Sequence, residues 1–413
     1  MPQTLTAVPV GAPEPPQASP DDGEEGMTVT RAYSVSAEDI AHESERVRGD
    51  HEKFDLTRTI RLDRLTLPDC GPTQVRMRVL AVSAEHNVVH AATAHPINIS
   101  EMRGGKLFVG NSAVGEVVET GRDVQRFKAG DIVLTHTNGS VDRGGFPLRI
   151  WAYDQPDSDG WYAEEAVVDE QQLIAAPIHC GLSLWEIAAL SLRAPTACHL
   201  WRRGLGIYRL KVSQQQHPVL NVLSFGGGVG ELFLMLAKAE GHNVFYCSGN
   251  AKRREDLERL GVVPIDQTRY ARFASKDDVK AFVKDCKALT DGEGMHVVCD
   301  MLRGPVFEAG LAVSARCGVN VSSGWQLSQN VDYNSTLLSV KQMTIDHMHY
   351  ETAAGCEEAA RLYGTVFKPV LHHEIYAFED LPRCMDDMHK NRQSGIPVVR
   401  VAREMPASVQ AIL

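Results

Sequence analysis

Asn221–Ala237 reads NVLSFGGGVGELFLMLA: an apolar run, a burst of glycines, then a second apolar run. A buried strand that turns through glycines into a helix places backbone amides and a helix N-terminus where a pyrophosphate can sit. Gly226, Gly228 and Gly230 supply the tight turn and the close approach, with Gly227 and Val229 between them. The strict GxGxxG pattern requires a sixth-position glycine, and this chain has Glu231 there. A carboxylate at a helix start suits the dipole, but turned inward it repels phosphate. The alternative is a glycine turn that only joins strand to helix, so the flanking sequence must decide.

Downstream, HNVFYCSG reads as the next strand and ends without the Asp or Glu that would hold a ribose 2′-hydroxyl. In its place stand Ser248 and the cations Lys252, Arg253 and Arg254. A hydroxyl and cations at a helix start suit a 2′-phosphate through charge-assisted hydrogen bonds, so NADPH is expected over NADH. The segments KRREDLERLG, VVPID, KDDVKAFVKDCKAL, MHVVCDML, FEAGLAVSA, GVNVSSG and QMTIDHM then alternate helix and strand. That alternation predicts a doubly wound parallel sheet over 193–346.

Upstream, the texture is different. Residues 1–27 are rich in Pro, Ala, Gly and acid, and read as a disordered leader. From Thr28 come short β-like runs: IRLDRLTL, then VRMRVLAVSA after the turn DCGPT, then KLFVGNSAVGEVVETGRDVQRFKAGDIVLT. These predict an antiparallel, barrel-like lobe over 28–192. Residues 140–160 read as a polar loop around RIWAYD, and LSLWEIAALSLRAPTACHLWRRG is helical in period. The tail, 347–413, holds a helix (DLPRCMDDMHKNRQSG) and a strand (IPVVRVA) that return to the first lobe.

Composition narrows the function classes. A chain of 413 residues implies two domains. A net charge of −11 without a basic run argues against a general nucleic-acid surface. No stretch is apolar enough to span a membrane, and no basic-then-apolar segment opens the chain, so a cytoplasmic protein is expected. The nine cysteines are scattered without a CxxC pair, which points to buried thiols rather than a zinc knuckle or redox pair. The neighbouring His372 and His373 diverge as ligands and read as solvated.

RIWAYD followed by GWYAEEAVV, then APTACHLW, CSGNAKRREDLERLGV, CGVNVSSG, TIDHM and DMHKNRQSGIPVVRV form an ordered set. In order and spacing they resemble the medium-chain dehydrogenase/reductase superfamily, and within it the crotonyl-CoA carboxylase/reductases, from about Thr66 to Ala402. The resemblance implies an α/β chain with a GroES-like β-rich catalytic domain and a Rossmann NADPH-binding domain. It also implies an α,β-unsaturated acyl thioester substrate, carried on CoA or a carrier, and a homodimer or homotetramer. Zinc members carry a glycine-histidine-glutamate triplet where this chain has Gly110, Asn111 and Ser112, and no four-cysteine lobe follows. No zinc is therefore expected.

In that family a hydride reaches the β-carbon and an enolate forms, which carboxylating members let attack carbon dioxide. Carried over by position, the family's site histidine falls on His347, with His349 as an alternative nearby. The loop pair falls on Tyr153 and Asp154, where phenylalanine and glutamate are expected. The family's Asn-Tyr-Asn-Thr-Val-Trp segment falls on Glu85, His86, Asn87, Val88, Val89 and His90. Thr196 matches the threonine that approaches the nicotinamide ring. Glu85 puts a carboxyl where a neutral donor stood, and Asp154 is one methylene short. The expected activity is thus enoyl-thioester reduction, with or without carboxylation. The alternatives are a zinc-free quinone or enone reductase, and a catalytically silent nucleotide-binding homologue.

Overall fold

The computed structural model describes residues 28–413, so the expected leader at 1–27 lies outside the described residues. Asn221–Phe225 is buried at every position and forms the centre of a six-stranded parallel sheet. Parallel strands are covered on both faces, which is why Val222, Leu223 and Phe225 are all fully buried although they point to alternate sides. Asn243–Ser248 and then Val263–Asp266 lie to one side; Met295–Asp300, Ser314–Ser322 and Thr344–His347 lie to the other. The order reverses between Asn221–Phe225 and Met295–Asp300, and a crevice opens beyond their carboxyl ends at such a switch. The sheet runs to His347, one residue past the expected boundary. Helix Arg193–Lys211 packs on helix Val229–Ala239, with the Trp201 ring edge-on to Phe233 at 5.5 Å.

The other lobe is built on Gln74–Ser83, whose inner residues Val75, Met77 and Val79 are fully buried. This strand pairs antiparallel with Val114–Thr120, with Glu165–Asp169 and with the late strand Ile396–Arg400, so the tail returns to this lobe. Ile132–Thr135, Leu173–Ala175 and Leu371–Ala377 complete the sheet. Val29–Ser36, Ile60–Thr66 and Lys106–Phe108 make a smaller antiparallel sheet beside it.

Two helices, Ala37–Arg46 and His86–Thr93, interrupt a lobe read from sequence as strands and turns. HNVVHAAT carries β-branched valines that locally favour extended backbone. Burial of Val88, Val89, Ala91 and Ala92 overrides that preference. His372 is buried and stacks on Tyr376 with ring centroids 5.8 Å apart, which corrects the solvated reading. Strand alternation sends His372 and His373 to opposite faces. All nine cysteines are free, six of them buried. Among the described residues no helix is long and apolar enough to cross a membrane.

Candidate active site

A cavity of about 810 Å³ lies between the lobes, with the glycine turn on one wall and the start of helix His86–Thr93 on the other. Gly226 (φ +82°) and Gly228 (φ +63°) take backbone conformations that L side chains avoid. Gly228 starts helix Val229–Ala239 with no side-chain cap, leaving the first-turn amides for a ligand. Gly226, Gly227, Gly228 and Val229 line the cavity; Gly230 does not. A Cβ on Gly230 would collide with Ser224 Oγ, so its task is to let the helix press on the strand.

Glu231 is 1% exposed and absent from the cavity wall. Its carboxylate turns back beneath the turn to Arg253, with Oε1 3.1 Å from Nε. Burial raises the Glu231 pKa, and Arg253 opposes the rise.

Beyond strand Asn243–Ser248 the cavity is lined by Ser248, Asn250, Gln267, Thr268 and Arg272. Lys252, expected here, points away: its Nζ pairs with Asp256 Oδ1 at 2.7 Å on the exposed face of its helix. Arg254 donates to the Ser248 carbonyl at 2.6 Å and pairs with Asp266 at 3.1 Å. Arg253 lies under the glycine turn instead. Arg272, which no sequence signal singled out, is the exposed cation on this part of the wall, in a kinked segment with φ +56°.

At the other end, Glu85 is 2% exposed. One carboxylate oxygen accepts from the Ser112 hydroxyl, Arg193 Nη1 stands 3.9 Å away, and Oε2 has no partner. Burial pushes the Glu85 pKa up to about 7, with Arg193 and Ser112 pulling the other way. Arg193 is held by Ser83, Ala84 and Ala189 oxygens and lies against Gly228. The sequence alone does not single it out; the signal it offers is an arginine set between the apolar runs of LSLRAPTACHLW.

His90 Nδ1 lies 3.2 Å from the Tyr153 hydroxyl, which accepts from Trp325 Nε1 at 3.3 Å. With the indole proton on the phenol oxygen, the phenol's own proton is available to Nδ1, an arrangement that goes with the Nε2–H tautomer of His90. That Nε2 is buried without a partner, and burial pushes the ring's pKa down to about 4, keeping it neutral. Asn87 and Thr196 also line the cavity, the Thr196 hydroxyl donating to the Leu192 carbonyl at 2.8 Å.

Two expected residues are not brought in. Asp154 Oδ1 accepts from the Ile150 amide at 2.6 Å, which fixes the loop's own turn, and Asp154 is not on the wall. His347 ends its strand exposed, 3.4 Å from Arg303 Nη2, and is likewise outside the cavity. His349, two residues on, is on the wall.

The alcohol dehydrogenase GroES-like domain family matches residues 71–178, and the zinc-binding dehydrogenase family matches residues 228–364. The crotonyl-CoA reductase of Streptomyces avermitilis is 27% identical over 381 residues, covering 83% of this chain and 82% of its own. Cinnamyl alcohol dehydrogenase 5 of Arabidopsis thaliana is 30% identical over 236 residues, 52% of this chain and 61% of its own. The solved structure of the 2-octenoyl-CoA carboxylase reductase CinF with NADP and 2-octenoyl-CoA superposes with TM-score 0.74. It is 24% identical and covers 92% of this chain and 90% of that one, a likeness of fold. The chain belongs to the medium-chain dehydrogenase/reductase superfamily.

Zinc must be tested in any such dehydrogenase/reductase, given the family's name. At the place of the zinc triplet, Asn111 donates to the Trp151 carbonyl and Ser112 to Glu85. Glu85 alone offers a ligand oxygen there, and the Arg193 guanidinium already stands beside it. Among the described residues His86 and His90 do not join Glu85 in a group of three ligand atoms, and a dication held by one carboxylate against a guanidinium does not fit. Among the described residues one group of three potential ligands occurs, His217, Glu293 and His296. It lies at the opposite ends of the strands, and His296 Nδ1 accepts the Asn221 amide at 2.8 Å. The ring proton of neutral His296 is then on Nε2, the nitrogen that faces Glu293, which disqualifies it as a ligand.

Proposed function

We propose that this protein is an NADPH-dependent reductase of α,β-unsaturated acyl thioesters, on CoA or a carrier, that protonates its product without carboxylating it. The observation that carries this reading is one cavity shared by the glycine turn, a buried carboxyl with an unpartnered oxygen, and a neutral imidazole with an unpartnered ring nitrogen. A crotonyl-CoA reductase among the relatives and a fold neighbour solved with NADP and an enoyl-CoA support the same chemistry.

Gly226–Val229 and Thr196 would hold NADPH, with Ser248 and Arg272 toward its 2′-phosphate, and the cofactor would supply the hydride. Reduction at the β-carbon places negative charge on the thioester oxygen. His90 meets that charge with a proton on Nε2, in the tautomer whose Nδ1 accepts from the Tyr153 hydroxyl. A preorganised donor of this kind contributes on the order of a hundredfold to a thousandfold in rate. Glu85 then gives the proton on Oε2 to the α-carbon. Its raised pKa keeps a substantial neutral fraction near neutrality, which removes the repulsion an ionised carboxylate would impose. Asp154 and His347 lie outside the cavity, which favours protonation over carboxylation in this reading.

The test follows NADPH oxidation with crotonyl-CoA and longer enoyl-CoAs, with and without bicarbonate, and identifies products by mass spectrometry. The saturated acyl-CoA is expected in both cases. A carboxylated product overturns the protonation step. Oxidation only with free enones or quinones, or NADPH binding without any oxidation, replaces this reading with one of its alternatives.

A further inference from the structure

We infer that Arg253 is the cation for the cofactor's diphosphate and that Glu231 positions it, in the place where the turn lacks its last glycine. This inference rests on the reading that the protein binds NADPH.

The guanidinium of Arg253 is pressed against Gly227, where any Cβ would fall inside it. Its Nε lies between Glu231 Oε1 at 3.1 Å and the Ser394 carbonyl at 3.2 Å, and Nη2 donates to the Gly395 carbonyl at 3.4 Å. Nη1 is the nitrogen nearest Gly227 and donates neither of the Arg253 bonds to the tail, the buried Tyr246 phenol being the other oxygen beside the guanidinium. A guanidinium is a planar fork, so fixing two of its edges aims the third. Here the third edge faces the turn whose uncapped amides already suit an anion. Arg253 and Gly227 are on the cavity wall; Glu231 is behind it.

The register explains how a glutamate came to be tolerated. In the usual motif the last glycine lets the helix approach its strand. Here Gly230 performs that approach against Ser224, which frees the next position for a long side chain directed at Arg253. Ser394 and Gly395 belong to the returning tail, and Asn250 reaches the same segment through the Gln393 carbonyl at 3.1 Å. A diphosphate on Nη1 therefore joins a side chain that already ties the two lobes together.

The deciding measurement titrates NADPH and NADH separately into wild type and R253Q. A diphosphate partner weakens both cofactors alike, on the order of tenfold to a hundredfold, and leaves the NADPH/NADH ratio unchanged. A 2′-phosphate partner weakens NADPH alone, and that result, or no change in either, overturns the inference. R272Q is the contrast, expected to weaken NADPH only. For positioning, E231Q weakens both cofactors severalfold in wild type and has no further effect in the R253Q background; additive losses overturn the role of Glu231. If R253Q does not fold, R253K keeps the charge, loses the fork and is read by the same ratio. These titrations need no turnover. A protein that binds in this way yet reduces no thioester loses its proposed reaction alone, and one that binds neither nucleotide loses both readings.

Discussion

Glu85 and Glu231 are each buried beside an arginine, yet their surroundings assign them opposite tasks. The Glu231 carboxylate is 3.1 Å from Arg253 and shielded from the cavity by the glycine turn. Glu85 is on the wall, with Arg193 farther off at 3.9 Å and engaged by backbone and hydroxyl oxygens. A buried carboxyl set close to a guanidinium and behind the turn can hold that cation in place; one on the cavity wall with a distant counter-charge is placed to pass a proton on. Burial alone thus does not sort acid from anchor. The distance to the cation and access to the cavity do.

The largest effect that would break this contrast is at Glu85. Glu85→Gln should lower kcat for enoyl-thioester reduction by about 10²–10⁴-fold while leaving NADPH affinity intact. A variant that keeps wild-type kcat removes Glu85 from the chemistry. A second effect follows pH. The Glu85 pKa is raised from 4.5 to about 7, with Arg193, Tyr162 and His86 facing or flanking it. A raised carboxyl favours the folded state below its unfolded pKa, and that contribution is lost as pH rises through about 7. Wild-type kcat should therefore fall through the same range. The stability of Glu85→Gln relative to wild type should grow from acid to neutral pH by a few kcal/mol, read from denaturation midpoints. A difference that stays flat with pH contradicts the shift.

The smallest effects concern residues the sequence favoured and the structure does not place in the cavity. Lys252→Ala breaks only an exposed helix pair and should change NADPH affinity by less than about twofold in a titration. His347→Ala should leave kcat within about threefold, as expected of a surface residue. Tighter dependence on either would restore the original assignment.

The strand–turn–helix of Asn221–Ala237 was legible because one sheet repeats a strong pattern, and Glu85, Asn87, Tyr153 and Thr196 do line the cavity. Lys252 and Arg253 show where legibility stops. Adjacent helix residues point about 100° apart, and only the packed helix reveals which one faces the turn. His90 was noted as a departure from tryptophan, but its proton position depends on Tyr153 and Trp325, which are distant in sequence. Arg193 and Arg272 were missed because each acquires meaning only from neighbours brought in by long-range pairing.

Ser83, two residues before Glu85, is paired with Val398 on the strand Ile396–Arg400. On a ribosome, the floor beneath the proposed acid is among the last parts of the lobe to be made. The parallel sheet, encoded in between, can close first, because its strands span only Asn221 to His347. The earlier lobe must meanwhile wait with the Ala81–Ser83 end of its central strand uncovered on that side. The interval in which this chain is vulnerable to sticking to its neighbours is set by the time needed to translate the whole nucleotide sheet.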